Sequence, residues 1–159
     1  MTFFADSTKN NLRIRIEDYF SAQCDNLLKL INYQYYCYHK NLLANLFPSV
    51  SGKTVCDVGC GSGVWSCGLF KEAKKIFLLD NNETYLRIAK EIYEFNGRHN
   101  FVLVKADISN NFSDLGIHRE SIDIVWNHAV MELLDNEQLS YCLRNISFML
   151  RRGGMRLYL

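Results

Sequence analysis

The residues best suited to bind a ligand form one glycine-rich segment, VCDVGCGSG, from Val55 to Gly63. In this segment an apolar run with one acid, Asp57, leads into three glycines in G-x-G-x-G spacing, and a helical pattern follows. Glycines suit such a turn because they adopt unusual backbone angles and let a ligand approach the bare backbone. The segment predicts a ligand-binding loop, and a tight turn without a ligand is the alternative interpretation.

Two further acids follow apolar runs, Asp80 after KIFLL and Asp107 in VKADIS. Asp80 lies 21 residues after Gly59, a spacing at which an acid on the second strand accepts hydrogen bonds from ribose hydroxyls. A helix N-cap role for Asp80 is the alternative, although Asn81 or Asn82 can cap the next helix instead. Asp107 either accepts a hydrogen bond from an adenine amino group or is a plain loop carboxylate.

Strand and helix patterns alternate around these acids. Apolar runs rich in β-branched and aromatic residues predict strands at 54–58, 75–79, 101–105, 122–126 and 155–159. Helices are expected near 64–72, 83–95 and 137–151, with a shorter element near 110–116. This alternation predicts an α/β fold with a mainly parallel sheet covered on both faces. The three acids then meet at the carboxyl edge of that sheet, where ligands bind in open α/β folds.

The last predicted helix has recognisable start and stop signals. Asp135, with Gln138 three residues later, predicts a capping box. The arginines at 151–152 suit the negative end of a helix dipole. Gly153 or Gly154 is expected to end the helix in the left-handed conformation.

The composition indicates a globular chain without a polyanionic partner. Of the 159 residues, 48% are hydrophobic, which is typical of a globular chain. The 18 basic and 17 acidic side chains leave a net charge of +1, which provides no electrostatic field that would attract nucleic acid or an anionic membrane. No apolar stretch approaches the roughly 20 residues that cross a bilayer. Six scattered cysteines predict reduced thiols and a cytoplasmic location. We expect an N-terminal helical cap segment at residues 1–50, helical over 10–46, and a ligand-binding domain at 51–159.

Together the motifs resemble the class I methyltransferases that use S-adenosyl-L-methionine. VCDVGCGSG resembles their glycine motif, Asp80 their ribose-binding acid and ADI their adenine position. SIDIVWNHAVMELL resembles their fourth strand with the following loop, and LRNISFMLRRGGMRLYL their last helix and fifth strand. The resemblance implies a Rossmann-like three-layer sandwich from about residue 54 to 159, preceded by N-terminal helices, with S-adenosyl-L-methionine as cofactor.

The resemblance also implies a cofactor role for each motif residue. The glycine loop would lie against the methionine part of the cofactor, with Asp57 near its amino group. Asp80 would bind the ribose, and Asp107 and Ile108 the adenine. The full expected set of cofactor-binding residues is Asp57, Gly59, Cys60, Gly61, Gly63, Asp80, Asn81, Asp107, Ile108 and Asn127.

The methyl acceptor leaves a weaker signal. Methyl transfer from a sulfonium is an in-line displacement that needs a general base only where the acceptor must lose a proton. His128 and Glu132, after the fourth strand, are the candidate bases, with ordinary loop contacts as the alternative. That loop lacks the N-P-P-Y type of tetrad found in enzymes that methylate base amino groups, so a small-molecule acceptor is favoured. The tyrosines of NYQYYCYH, 32–39, form either an acceptor cage or helix packing, and no metal site is expected.

Two alternatives to a complete enzyme stay open. The family's sheet ordinarily has seven strands and this sequence carries five, so we expect a fragment, or a short form whose open sheet edge is covered by a protein partner or by self-association. The chain is then a methyltransferase or a cofactor-binding domain without its own catalysis. A NAD-type oxidoreductase is disfavoured because the G-x-G-x-x-G fingerprint requires a glycine where Val64 stands.

Overall fold

The computed structural model describes residues 37, 41, 45, 50–110 and 116–158. Within them five parallel strands form one sheet in the order β3-β2-β1-β4-β5. The strands are β1 Thr54–Val58, β2 Lys75–Asp80, β3 Phe101–Lys105, β4 Ile122–Asn127 and β5 Leu150–Tyr158. The helices are α1 Val64–Leu69, α2 Glu83–Phe95 and α3 Asn136–Met149, with a 3-10 helix at Met131–Leu133. The predicted Rossmann-like α/β fold is confirmed.

The sheet is covered on both faces because successive side chains of each strand point to opposite sides. On one face Val55, Leu78 and Trp126 belong to the apolar core that includes α1 and α2. On the other face Cys56 and Leu79 belong to the core that includes α3. The result is a three-layer arrangement in which the strand ends, rather than the strand faces, remain accessible to a ligand.

Most predicted element boundaries agree with the structure. The bounds of β1, β3 and α2 match residue for residue, whereas α1 ends at Leu69, before the predicted end at residue 72. The capping box of α3 is confirmed, since the Gln138 N–H donates to Asp135 Oδ1 at 2.9 Å and the Asp135 N–H donates to Gln138 Oε1 at 3.0 Å.

The prediction for the end of α3 is wrong. The helix stops at Met149, and β5 begins at the next residue rather than at 155. Gly153 does take a left-handed φ of 74°, but it does so within β5. There the pairing advances from Ile122 to Ile124 along β4 and from Leu150 to Met155 along β5, which is a bulge. The positive φ of the glycine serves this bulge instead of a helix end.

The arginine prediction at the same point is also wrong. The last turn of α3 contains no basic residue. Arg151 lies in β5, and its Nη2 is 2.5 Å from Oδ1 of Asp123 on β4. Asp123 Oδ2 in turn accepts a hydrogen bond from the Thr54 N–H at 2.7 Å. The arginine therefore joins the edge strand β5 to β4 rather than interacting with the helix dipole.

Much of the predicted N-terminal cap lies outside the described residues. Of the helix expected over 10–46, the structure describes Cys37, Asn41 and Asn45, and all three are helical. The tyrosines of the proposed acceptor cage and residues 111–115 also lie outside. In the part of the chain that is described, no helix is both long and apolar enough to cross a membrane.

We expect Asp135→Ala to lower the free energy of unfolding by about 1 kcal/mol, because the first turn of α3 loses its side-chain acceptor. Urea unfolding followed by circular dichroism measures this loss. Asn136→Ala, one residue inside the helix, is the matched control and should change the free energy of unfolding much less. Equal losses in the two variants would contradict a specific capping role.

Candidate functional site

The glycine loop turns at the end of β1 and lies against β2. Gly59, Gly61 and Gly63 have left-handed φ angles of 69°, 51° and 68°. The N–H groups of Gly59 and Cys60 both donate to the Leu79 carbonyl oxygen, at 2.8 and 3.0 Å. The turn is therefore built from backbone conformations that other residue types adopt only at a cost.

Asp80 joins this loop to the start of α2. Its Oδ2 accepts a hydrogen bond from the Gly61 N–H at 2.8 Å, and its Oδ1 accepts one from the Asn82 N–H at 2.8 Å. The side chain of Asn82 caps α2 by accepting from the Thr84 N–H at 2.9 Å. Capping of α2 thus belongs to Asn82, and the carboxylate of Asp80 is held at the sheet edge.

A cavity of about 450 Å³ opens at this edge, beyond the carboxyl ends of β1 to β4. The structure brings together there most of the residues that the sequence indicated for a site. Those lining the cavity are Gly59, Gly61, Asp80, Asn81, Asp107, Ile108 and His128. Those that do not line it are Asp57, Cys60, Gly63, Asn127 and Glu132.

The residues outside the cavity wall have other surroundings. Asn127 is buried, and its Nδ2 donates to the Val58 carbonyl oxygen at 3.0 Å, which joins the ends of β4 and β1. A Cβ on Gly63 would lie 3.1 Å from the side chains of Ala89 and Tyr93, so this glycine allows close packing of α2. Glu132 is exposed on the 3-10 helix.

Asp57 is buried beneath the glycine loop, with only 3% of its surface exposed. Burial raises the pKa of its carboxyl to about 7, and the nearby charge of Asp80 adds to the rise. A hydrogen bond from Ser66 acts in the opposite direction on this pKa. Burial and the same two carboxylates raise the pKa of the Cys60 thiol well above its usual value, so Cys60 is a neutral thiol.

The loop after β3 is held from two sides. Asp107 Oδ1 accepts hydrogen bonds from the N–H and the hydroxyl of Ser109, at 2.9 and 2.6 Å. Nδ2 of Asn145 on α3 lies 2.6 Å from the Ile108 carbonyl oxygen and 2.7 Å from that of Asn110, and donates to both. These contacts fix the backbone of a loop that presents Asp107 and Ile108 to the cavity.

His128 forms the cavity wall after β4. Its imidazole stacks on Trp65 of α1 at a centroid distance of 5.3 Å and an interplanar angle of 26°. It also lies nearly parallel to the Trp126 ring, at 6.2 Å and 12°. Burial lowers the pKa of His128 below its ordinary value, with a smaller opposing effect from Glu132, so the ring is neutral near pH 7.

Several lining residues were not predicted from the sequence. They come from the first turn of α2, the loop after β4 and the start of α3: Tyr85, Ala129, Val130, Leu133, Leu134 and Gln138. Ala129 has a left-handed φ of 57°, an unusual conformation of the kind that clusters at ligand sites. The sequence contains one indication of this part of the cavity wall, the position of the loop after the fourth strand. That position indicates a region of the chain and does not identify individual side chains.

The wall chemistry fits an elongated ligand that carries positive charge. Two carboxylates, Asp80 and Asp107, face the cavity, and none of the described lining residues is lysine or arginine. The strand order places Asp107 after β3 and His128 after β4, three strand spacings apart, or about 14 Å. A nucleoside joined to a sulfonium amino acid matches this length and charge, whereas a pyrophosphate favours a different set of donors. Within 50–110 and 116–158, no group of three metal-binding side chains is found.

A protein-family model described as a methyltransferase domain matches residues 49–157 of the sequence. The chain belongs to this methyltransferase family. The family is that of the class I methyltransferases, and its cofactor is S-adenosyl-L-methionine. When bound, this cofactor supplies a methyl group on a positively charged sulfur. Asp80, Asp107 and the glycine loop are the parts of the cavity wall that would hold it.

Curated relatives include plant enzymes that are much longer than this chain. Phosphoethanolamine N-methyltransferase 1 from Triticum aestivum is 31% identical over 111 residues, which cover 69% of this chain and 21% of the wheat protein. The enzyme of the same name from Zea mays is 26% identical over 110 residues, 69% of this chain and 21% of the maize protein. The chain therefore spans about a fifth of the length of these relatives.

Solved structures share the fold at lower sequence identity. The YcgJ protein of Bacillus subtilis has a TM-score of 0.66 at 15% identity, covering 77% of this chain and 50% of its own. Ribosomal protein L11 methylase from Lactobacillus delbrueckii subsp. bulgaricus has a TM-score of 0.59 at 22% identity, covering 80% of this chain and 60% of its own. At these identities the likeness supports the fold alone.

We expect Asp80→Ala to weaken binding of S-adenosyl-L-methionine by at least about tenfold. If Asp80 binds the ribose, the change removes charged hydrogen bonds to the ligand, each worth roughly 1.5 to 3 kcal/mol, and it also releases the Gly61 N–H. Calorimetric titration measures the affinity. Glu91→Ala on α2 removes the same charge from an exposed position outside the cavity wall and should bind as the wild type does. Unchanged affinity in Asp80→Ala would contradict a ribose-binding role.

We expect Gly59→Ala to destabilise the fold and to impair binding of the cofactor. A Cβ at residue 59 would overlap Cγ2 of Val130, and φ is left-handed there. Adding Val130→Ala removes the clash but not the backbone strain, so the double variant should recover only part of the lost melting temperature. Full recovery would show that φ at Gly59 matters little, and no loss in the single variant would contradict the contact.

Proposed function

We propose that this methyltransferase domain transfers the methyl group of S-adenosyl-L-methionine to a nitrogen atom of a small-molecule amine, by in-line displacement. The observation that carries the proposal is the neutral imidazole of His128. It lies at the end of the cavity opposite Asp107, the acid expected to bind the adenine. The names of the wheat and maize relatives, both N-methyltransferases of a small amine, support the choice of acceptor. The near-zero net charge of the chain also favours a small molecule over a nucleic acid.

The order of the strands supports a direction for the bound cofactor. Asp107 and Asp80 follow β3 and β2, on one side of the glycine loop, and His128 follows β4 on the other. If the carboxylates hold the nucleoside, the methionine part extends along the loop towards β4. The acceptor then approaches beside His128, on the stretch of wall that includes Ala129 and Val130.

His128 is the proposed proton acceptor. An amine nitrogen must present a free lone pair, since that pair forms the new bond to carbon while the bond from carbon to sulfur breaks and its electrons return to sulfur. The nitrogen gives up one proton, and a neutral imidazole within reach can take it. Stacking on Trp65 holds the ring plane, and burial keeps the ring uncharged. Positioning supplies the rest of the proposed rate enhancement.

A cofactor-binding unit without catalysis of its own is the alternative function. The matched region covers 21% of the wheat relative, so the acceptor pocket of a whole enzyme can include residues from outside it. A cytoplasmic location is part of the proposal in either case. Cys37, Cys56, Cys60 and Cys142 are reduced thiols in the structure, as is usual in a reducing compartment. Coverage of the sheet edge at β5 by a protein partner or a second copy stays a prediction.

Transfer of radiolabelled methyl from S-adenosyl-L-methionine tests the acceptor class. We expect label to appear on ethanolamine, phosphoethanolamine or their N-methyl derivatives in the presence of the chain. Ribosomal protein L11 and transfer RNA are the macromolecular controls, since one relative, from Caldanaerobacter subterraneus, is a ribosomal protein L11 methyltransferase. Label only on a macromolecule would contradict the small-molecule proposal, and cofactor binding without any transfer would favour the binding unit.

We expect His128→Gln to lower kcat/KM for the amine by about 100-fold, the order of magnitude of general base catalysis. In the wild type, activity should fall as the pH drops through the pKa of His128, which burial lowers from its ordinary value, because the protonated ring cannot accept a proton. The variant should lack this acidic limb. Glu132→Gln is the matched control at the other candidate base, and a loss confined to Glu132→Gln would reassign the base.

A further inference from the structure

Asn145 is a polar side chain on the buried face of α3. Its neighbours on that face, Cys142, Ile146 and Met149, are fully buried, and Asn145 itself is 7% exposed. Burying an amide costs free energy unless its polar atoms are hydrogen bonded, whereas a leucine of similar size would carry no such cost. The packing of α3 therefore does not require an amide at this position, and the reason for it lies in its hydrogen bonds.

The amide of Asn145 binds the loop after β3 at two points. Nδ2 donates to the Ile108 carbonyl oxygen at 2.6 Å and to the Asn110 carbonyl oxygen at 2.7 Å. Because both partners are acceptors, the NH₂ group and not the amide oxygen must face them. Ile108 and Asn110 flank Ser109, so one side chain holds the loop on both sides of that residue.

Within the same loop the carboxylate of Asp107 is held in one orientation. The N–H and the hydroxyl of Ser109 donate to Asp107 Oδ1 at 2.9 and 2.6 Å. The Asn110 N–H donates to the Asp107 carbonyl oxygen at 3.1 Å, which closes the turn. In the described part of the chain both donors to this carboxylate thus bind Oδ1. Oδ2 is then the acceptor that Asp107 offers to a ligand in the cavity it lines.

We infer that Asn145 and Ser109 are positioning residues for nucleobase selectivity. They hold Asp107 so that Oδ2 accepts a hydrogen bond from the 6-amino group of a purine and disfavours a purine with oxygen at that position. The inference rests on the prediction that Asp107 lies at the adenine of the cofactor. It does not depend on the proposed amine acceptor or on His128.

The two purines differ in what they present to a fixed carboxylate. A 6-amino group is a donor, whereas a 6-oxo group is an acceptor that leaves Oδ2 of Asp107 unpaired. The nearest donor of the 6-oxo purine is the ring N–H, one position away, so the carboxylate must move to reach it. A loop anchored by Asn145 and Ser109 resists that movement. Loss of the anchors should therefore reduce the preference between the two purines as well as the affinity.

Calorimetric titration with two ligands tests the inference. They are S-adenosyl-L-homocysteine and its inosine counterpart, which has oxygen in place of the 6-amino group. We expect the wild-type chain to prefer the adenine ligand by at least about tenfold, since a hydrogen bond to a charged acceptor is lost with the other. In Asn145→Leu this preference should fall at least about threefold, the effect of weakening one such bond. Asn136→Leu, exposed in the first turn of the same helix, is the matched control and should keep the wild-type preference.

Two further measurements use a second variant and the chain without ligand. Ser109→Ala removes the hydroxyl donor but keeps the N–H donor, so it should lower the preference less than Asn145→Leu does. This variant leaves α3 unchanged and tests the inference even if Asn145→Leu does not fold, which circular dichroism shows. Without ligand, the N–H groups of Ser109 and Asn110 should exchange with solvent faster in Asn145→Leu than in Asn136→Leu, because the loop has lost its anchor.

Three results would overturn the inference. The first is equal affinity of the wild type for the two ligands, which would show that Asp107 does not distinguish the purines. The second is a wild-type preference in Asn145→Leu and Ser109→Ala, including the case in which both ligands bind more weakly by the same factor. The third is unchanged amide exchange of the loop in Asn145→Leu. Failure of the amine to accept a methyl group would leave these measurements unaffected, so the two proposals fail separately.

Discussion

Two neighbouring carboxylates buried at the carboxyl edge of the sheet are the constraint on which the site depends. β1 and β2 run parallel with Asp57 opposite Leu78, so Asp57 and Asp80 finish adjacent strands within electrostatic reach of each other. Asp80 takes N–H groups from the glycine loop and from Asn82. The nearby Ser66 hydroxyl acts to lower the pKa of Asp57, against the larger effect of burial. The turn after β1 and the starts of α1 and α2 are thus arranged around two negative charges.

This arrangement has a cost that depends on pH. The pKa of Asp57 is about 7 in the folded chain and about 4 in an unfolded one. Between these values the folded state holds more protons, so stability decreases as the pH rises from about 4 to 7, by roughly 1.4 kcal/mol for each pH unit at most. Near pH 7 the Asp57 carboxyl is therefore close to the midpoint of its titration in a buried position.

The sequence predicted those parts of the molecule that local rules govern. Apolar runs rich in β-branched and aromatic residues predicted the strands, and the Asp135 capping box follows from four consecutive residues. The positive φ of Gly153 was predictable, but its location within β5 was not. A glycine indicates an unusual backbone angle without indicating which element requires it. Tyr93 sits on the apolar face of α2, so its hydroxyl bond to Ser66 had no signal in the pattern.

The strand order explains why distant loops must match each other. The chain moves outward from β1 through β2 to β3 and then returns to place β4 beside β1, which leaves a crevice between the loops after β1 and β4. In that crevice Val130 lies so close to Gly59 that a single methyl group on the glycine would overlap it. Gly59 is thus required by a loop 71 residues away as well as by its own turn. Because the loop after β4 also presents His128, a change in its path that accommodates a different acceptor would also move the wall against which the cofactor loop rests.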